Sequence, residues 1–244
     1  MKRRALAASL ALAIAASAAA RTPVTPAPDS ADVAYTYSAA PFVVDFEPPA
    51  PGTYDLPVID HVADHLLLDS NAVPVQLAAV TRGRLTVVAF VYTTCSEAAG
   101  CPLAEAILQR LDRRLAEDAP LARRVRLVTI SFDPERDTPT RMARVRAGYQ
   151  PRTDWLFLTA ANEAALRPVL ADFGQPVAKL RYEDGTWTGL YRHVLKVFLL
   201  DEQNNVRNVY SAGMVGPELI MTDLRTLAMA SQGQANQTPV PVRP

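Results

Sequence analysis

Between residues 84 and 92 the sequence RLTVVAFVY is nearly continuous in apolar and β-branched side chains, the pattern of a strand buried on both faces. The pattern then changes period. In PLAEAILQRLDRRLAED, Leu103, Ile107, Leu108, Leu111 and Leu115 recur at helical spacing and Pro102 suits a first turn, so a helix is predicted over 102–118. VRLVTISF (125–132) predicts a second buried strand. TPTRMARVRAGY (138–149) predicts a helix opened by Thr138-Pro139, DWLFLTA (154–160) a third strand, and NEAALRPVLADF (162–173) a helix ending near Gly174. HVLKVFLLD (193–201) and VRNVYSA (206–212) read as a hairpin across EQNN, and GPELIMTDLRTLAMA (216–230) as the last helix. Upstream, HLLLD (65–69) and VPVQLAAV (73–80) read as short strands around a turn at Ser70-Asn71. Strand–helix alternation closed by a hairpin predicts an α/β fold, a central mixed sheet flanked by helices.

The ends of the chain follow neither period. MKRR followed by ALAASLALAIAASAAA is a basic then apolar leader, with Ala18-Ala19-Ala20 suiting a cleavage site, so residues 1–20 read as a signal peptide. The apolar stretch is short of the about 20 residues that a spanning helix needs. If retained, it would serve as an N-terminal anchor. Export, to the periplasm in a bacterium, is the expectation. Prolines crowd residues 21–57, so 21–54 reads as a leader or linker. The part PFVVDFEPPAPGTYDLPVI mixes prolines with apolar residues and is expected to lie extended along the domain. The globular domain is expected over 55–232, and SQGQANQTPVPVRP is tail-like, with 233–244 expected to be disordered.

Charge narrows the partners. Lys+Arg and Asp+Glu both number 25, so no basic excess points to nucleic acid. Neither a glycine-rich phosphate loop nor an activated-serine motif occurs.

The chemistry concentrates in FVYTTCSEAAGCPLAEAIL, which holds the chain's two cysteines, Cys95 and Cys101. Cys95 follows a buried strand and Cys101 opens a helix, a turn where α/β sheets build their sites. Free N–H groups and the positive dipole end favour a thiolate there, so Cys101 is expected to be the more acidic thiol. Six residues apart, the two would lie about 240° apart on a continuous helix. Residues 96–100 must therefore bulge for the sulfurs to meet, with Gly100 the expected pivot at positive φ. Such a pair can bind metal or exchange disulfides. As a structural disulfide in an oxidising compartment it would contribute about 2.4 kcal/mol, and an interaction module with a stapled loop is the corresponding alternative.

Two more stretches complete the pattern. SFDPERDTPT (131–140) follows the second buried strand, and His193 stands immediately before a strand. With the cysteine loop, both are expected at loop ends of one sheet. On these residues the chain resembles the Sco/SenC family of copper-handling proteins, which have a thioredoxin-like fold. VVAFVYTTC…CPL is similar to the family's strand and cysteine motif. SFDPERDTP is nearly verbatim, LFLTAANEAALRPVLADFG matches in kind, and the resemblance covers about residues 54–230. It implies that Cys95, Cys101 and His193 bind copper. It also implies delivery of copper to the copper subunit of a respiratory oxidase or another periplasmic cuproprotein, or maintenance of that partner's thiols. One departure is plain: five residues separate the cysteines where the family has three, and the proline after the first cysteine is missing. Two thiolates and an imidazole suit Cu(I), hold Cu(II) with an added oxygen ligand, and leave a position open for transfer. Without metal, Cys95 and Cys101 would form the redox dithiol of a thiol–disulfide oxidoreductase served by a thioredoxin-like reductant.

Other polar residues receive plainer readings. His61 and His65, four apart, read as surface histidines. Asp133, Asp137 and Thr138 read as turn and N-cap residues, with a supporting role beside the site as the alternative. Glu97 reads as a solvated carboxylate that could add an oxygen ligand, and Trp155 and Trp187 as packing residues.

Overall fold

The apolar runs pair as their patterns predict. β4 (Leu85–Val91) is buried at every position and runs parallel to β5 (Val125–Ser131), which runs parallel to β6 (Trp155–Thr159). On its other side β4 is antiparallel to β9 (Lys196–Leu200), which forms a hairpin with β10 (Asn205–Ser211). β1 (Asp60–His61) borders β10, while β2 (Leu66–Asp69) and β3 (Pro74–Gln76) extend the sheet beyond β6. The result is an eight-stranded mixed sheet in the order β1-β10-β9-β4-β5-β6-β2-β3. The computed structural model describes residues 46–97, 100–212 and 214–235, all within one unit, Tyr37–Pro244. The leader expected over 1–20 and most of the segment 21–54 lie outside the described residues.

Helices flank this sheet. α2 (Cys101–Ala116) buries Leu103, Ile107, Leu108, Leu111 and Leu115, packing on β4 and β5 and against α6 (Pro217–Ala235). Each such side chain stabilises the fold by about 1.5–3 kcal/mol. α3 (Ala119–Ala122) is a single turn after α2. α4 (Pro139–Tyr149) is capped by Thr138, whose hydroxyl accepts the Arg141 N–H at 3.4 Å, and packs on β6. α5 (Glu163–Asp172) is capped by Asn162, which accepts the Ala165 N–H at 2.9 Å. Phe90, Phe173 and Phe198 meet edge to face in the core, with centroids 5.0–6.0 Å apart. Trp155 is also buried, in a cluster with Tyr149 and Phe157 whose ring centroids lie 4.9–5.9 Å apart.

The segment entering the domain is pinned as its mixed composition implies. Gly52 N–H donates to Thr226 at 3.0 Å, and Tyr54 donates to the buried Asp223. Asp223 also accepts from Tyr210 at 2.6 Å and Asn208 at 2.8 Å.

Three expectations need correction. The strand expected over 73–80 stops at Gln76, and α1 (Leu77–Thr81) follows. The Asp64 carboxylate accepts the Ala78 N–H at 2.9 Å, and Leu77, Ala78 and Thr81 bury one helical face. A second sheet, β7 (Val177–Arg181) with β8 (Trp187–His193), fills a stretch left without an element. Its turn signal, Asp184-Gly185 between alternating apolar residues, is present, and Gly185 takes φ 84°. His193 consequently ends β8 instead of opening β9, which begins three residues later. α6 also runs to Ala235, past the predicted end at Ala230. Among the described residues no helix is long and apolar enough to cross a membrane.

Candidate metal centre

Cys95 lies four residues beyond the end of β4, and Cys101 is the first residue of α2. His193 reaches them from the end of β8. One ligand atom from each of Cys95, Cys101 and His193 lies within 4.8 Å of the other two. They are the one such group of three metal-ligating residues among the described residues. Cys101 Sγ lies 3.8 Å from His193 Nε2 and accepts the Tyr92 N–H at 3.4 Å. Both cysteines are free thiols, Cys101 buried and Cys95 half-buried.

The turn between the cysteines is closed by hydrogen bonds, from Cys95 N–H to Tyr92 O at 3.1 Å and from Gly100 N–H to Glu97 O at 2.9 Å. Gly100 is not the positive-φ pivot expected. It is the N-cap of α2 with φ −99°. A Cβ there would stand 3.3 Å from Glu97 O, a tight contact, and 3.5 Å from Cys95 Sγ, an ordinary one. Ala98 and Ala99 lie outside the described residues.

The two thiols are electrostatically unequal, in the opposite sense to the expectation. The Cys101 side chain, hydrogen-bonding to the Cys95 thiolate, holds Cys95 well below the usual thiol range, against the effect of burial and with help from His193. Cys101 is pushed up, by the Cys95 thiolate beside it and then by burial. A second thiolate at Cys101 would form beside the first and, at 1% exposure, without water, and both conditions oppose what a helix N-terminus favours.

An aromatic wall orients the imidazole. Phe132 lies 4.9 Å from the His193 ring and Tyr92 6.0 Å, and Tyr191 packs against both aromatic rings. His193 Nδ1 is buried without a hydrogen-bond partner. The imidazole is thus held by packing and by its Nε2 contact with sulfur, and no hydrogen bond at Nδ1 opposes a tilt toward an ion.

The remaining candidates fall outside the donor group. His61 is exposed beside Asn205 Oδ1 at 3.1 Å, whereas His65 is mostly buried and meets Asp172 at 2.7 Å, so the two do not converge. The expected surface placement holds for His61 and fails for His65, because the loop folds back on the end of α5. Glu97 is exposed and outside the donor group. Trp187 is half-buried and carries Arg136 on its face at 4.3 Å and Lys179 at 4.6 Å, a cation–π role beyond packing. Asp133 and Asp137 are wholly buried beneath the site.

Glu105 stands four residues after Cys101, on the same face of α2. Burial pushes its carboxyl above the ordinary range. Below that range folded and unfolded chains both hold the proton; above it the unfolded chain loses the proton more readily, so ionisation favours unfolding. Glu105→Gln should therefore raise the melting temperature at about pH 7 and lose that advantage near pH 3. An equal shift at both pH values would contradict this account of Glu105.

Comparison with known proteins places the chain in a family. The SCO1/SenC family model matches residues 50–229. The fold is similar to that of ScoI from Bradyrhizobium japonicum, solved with copper bound, at 24% identity and TM-score 0.56, covering 68% of this chain and 99% of that one. It is similar to BsSco, a member of the Sco family of cytochrome c oxidase assembly proteins, at 21% identity and TM-score 0.57, covering 72% and 98%. It is also similar to a SCO1/SenC family lipoprotein from Bacillus anthracis str. Ames, at 22% identity and TM-score 0.58, covering 70% and 97%. No curated protein sequence matches the chain. The likeness is to thioredoxin-like folds, and the family match runs through every element that builds the donor group, from β4 to His193. The chain belongs to the SCO1/SenC family.

Proposed function

We propose that the protein binds one copper ion through the Cys95 and Cys101 thiolates and the His193 imidazole, and passes it to a copper protein. The observation that carries this reading is the convergence of two sulfurs and one ring nitrogen within 4.8 Å. Soft sulfur donors favour Cu(I), and three ligands leave room for an incoming ligand from a partner. Cys95, half-buried and already inclined to the thiolate, is the side from which a partner's ligand approaches. Cys101 and His193 hold the ion from below. The partner class is the copper subunit of a respiratory oxidase or another cuproprotein of the same compartment. The basic and apolar N-terminal residues support export, with residues 1–20 a signal peptide or anchor; the working domain, expected over 55–232, also takes in the pinned Gly52 and Tyr54 and α6 to Ala235.

The test is a titration of reduced protein with Cu(I) against a competing chelator. About one Cu(I) per chain is expected, with His193→Ala weakening the affinity while the stoichiometry holds. Full affinity in His193→Ala would remove the histidine from the ligand set.

The inequality of the thiols favours a second reading, thiol–disulfide exchange. The Cys95 thiolate would attack a partner disulfide, releasing one partner thiolate and forming a mixed disulfide. Cys101, giving up its proton, would then displace the second partner thiolate and close the Cys95–Cys101 disulfide, which a thioredoxin-like dithiol would reduce. Copper-independent turnover of a mixed disulfide, abolished by Cys95→Ser, would establish it.

A further inference from the structure

The segment 131–137 makes more hydrogen bonds than a turn of its length requires, and they lead in two directions. Asp137, with no exposed surface, accepts the Thr93 N–H at 2.9 Å and the Thr93 hydroxyl at 2.5 Å. Thr93 is two residues before Cys95, and its hydroxyl also accepts from Arg141 Nε at 3.1 Å. The Ser131 hydroxyl donates to Asp137 at 2.6 Å and accepts the Asp133 N–H at 3.0 Å. Asp133, also without exposed surface, accepts the Tyr191 hydroxyl at 3.1 Å and the Arg136 guanidinium. Arg136 in turn donates to Gly189 O at 2.9 Å. Tyr191 and Gly189 lie on β8, two and four residues before His193.

We propose that this buried chain of hydrogen bonds, Thr93–Asp137–Ser131–Asp133–Tyr191, is a positioning device that ties the cysteine loop to the histidine strand. The inference rests on reading Cys95, Cys101 and His193 as one site, and says what holds them at a working distance. The need is geometric. β8 belongs to the two-stranded sheet with β7 and has no ladder to β4; its backbone link to the main sheet runs through β9, which begins three residues after His193 and pairs with β4, and that link leaves Gly189 and Tyr191 to be placed by side-chain contacts. Packing of Phe132 and Tyr92 supplies contact, but contact between rings tolerates sliding. Hydrogen bonds to buried carboxylates are directional, and leaving one unmade inside the protein is costly. Ser131 is the side-chain link between the halves: its hydroxyl bridges the Asp137 carboxylate and the Asp133 N–H, alongside the backbone bond from Asp137 N–H to Asp133 O at 2.8 Å.

The role separates from a local one by where a lesion is felt. If the two carboxylates only shape the 133–137 turn, removing the Ser131 hydroxyl loosens residues 131–141 and nothing else. If they form a tie, both distant ends loosen together. The experiment is amide hydrogen exchange on reduced, metal-free protein, comparing the wild type with Ser131→Ala. Exchange should quicken by about five- to tenfold, the worth of one net hydrogen bond, at both residues 93–97 and residues 189–193, with β9 and β10 unchanged. Tyr191→Phe, which keeps the ring and deletes only the hydroxyl, serves as a second variant if Ser131→Ala folds poorly. It too should quicken exchange at residues 93–97, on the far side of the network. Quickening confined to 131–141 and the mutated strand would overturn the proposal. Cu(I) affinity of Ser131→Ala, expected to fall about 10- to 100-fold, is measured alongside. If the wild type binds no Cu(I), the functional reading fails while the exchange data still decide the tie.

Discussion

Replacing Cys101 with serine is expected to remove tight Cu(I) binding while leaving the fold in place. Cys101 is the first residue of α2, 1% exposed, with its sulfur facing Cys95, His193 Nε2 and the Tyr92 N–H at once. A serine hydroxyl fits the same volume and can still accept the Tyr92 N–H, so little packing is lost. It is a hard donor that does not ionise near neutrality, and it leaves the ion one thiolate and one imidazole. Even partners outside the ligand shell are worth about 10- to 100-fold in affinity, so loss of a ligand should exceed 100-fold. Chelator competition measures the affinity, and urea unfolding checks that the variant is folded. Wild-type affinity in a folded Cys101→Ser protein would exclude Cys101 from the ligands, and the functional reading with it.

Phe132→Ala should be the most damaging single change to stability near the site. Phe132 is 2% exposed and touches Tyr92, Tyr191 and His193, with centroids 4.9–5.3 Å away. Truncating a buried phenylalanine costs about 3–5 kcal/mol in transfer energy and residual cavity, a large share of the roughly 5–15 kcal/mol that holds a domain together. The imidazole also loses its wall, so Cu(I) affinity should fall with stability. Phe132→Leu, which refills most of the volume, should recover the greater part of the stability and less of the affinity, because a branched aliphatic does not present the same flat face to the ring. A stability loss below about 1 kcal/mol in Phe132→Ala would show that this ring is not a strut of the core.

Much of this protein is decided by local pattern. β4, β5 and β6 are readable because strands covered on both faces must be apolar throughout, and α2 because one helical face must be. The cysteine turn, the acidic Asp-Pro loop and the lone histidine are visible as chemistry-bearing residues beside those elements. Their family resemblance rests on the same stretches. What the pattern does not determine is anything set by partners distant in sequence. The helical turn at Leu77–Thr81 depends on Asp64, thirteen residues before it begins. The placement of His193 depends on the β7–β8 hairpin, whose half-exposed strands carry weak alternation. Even the inequality of the thiols reverses the local argument, since a helix end favours a Cys101 thiolate while the Cys95 thiolate beside it, and then burial, deny it one. Periodicity reports which face a residue turns to the core. Desolvation, hydrogen bonding to buried carboxylates and the approach of one loop to another depend on what the rest of the chain brings to that face, and only the assembled sheet supplies it.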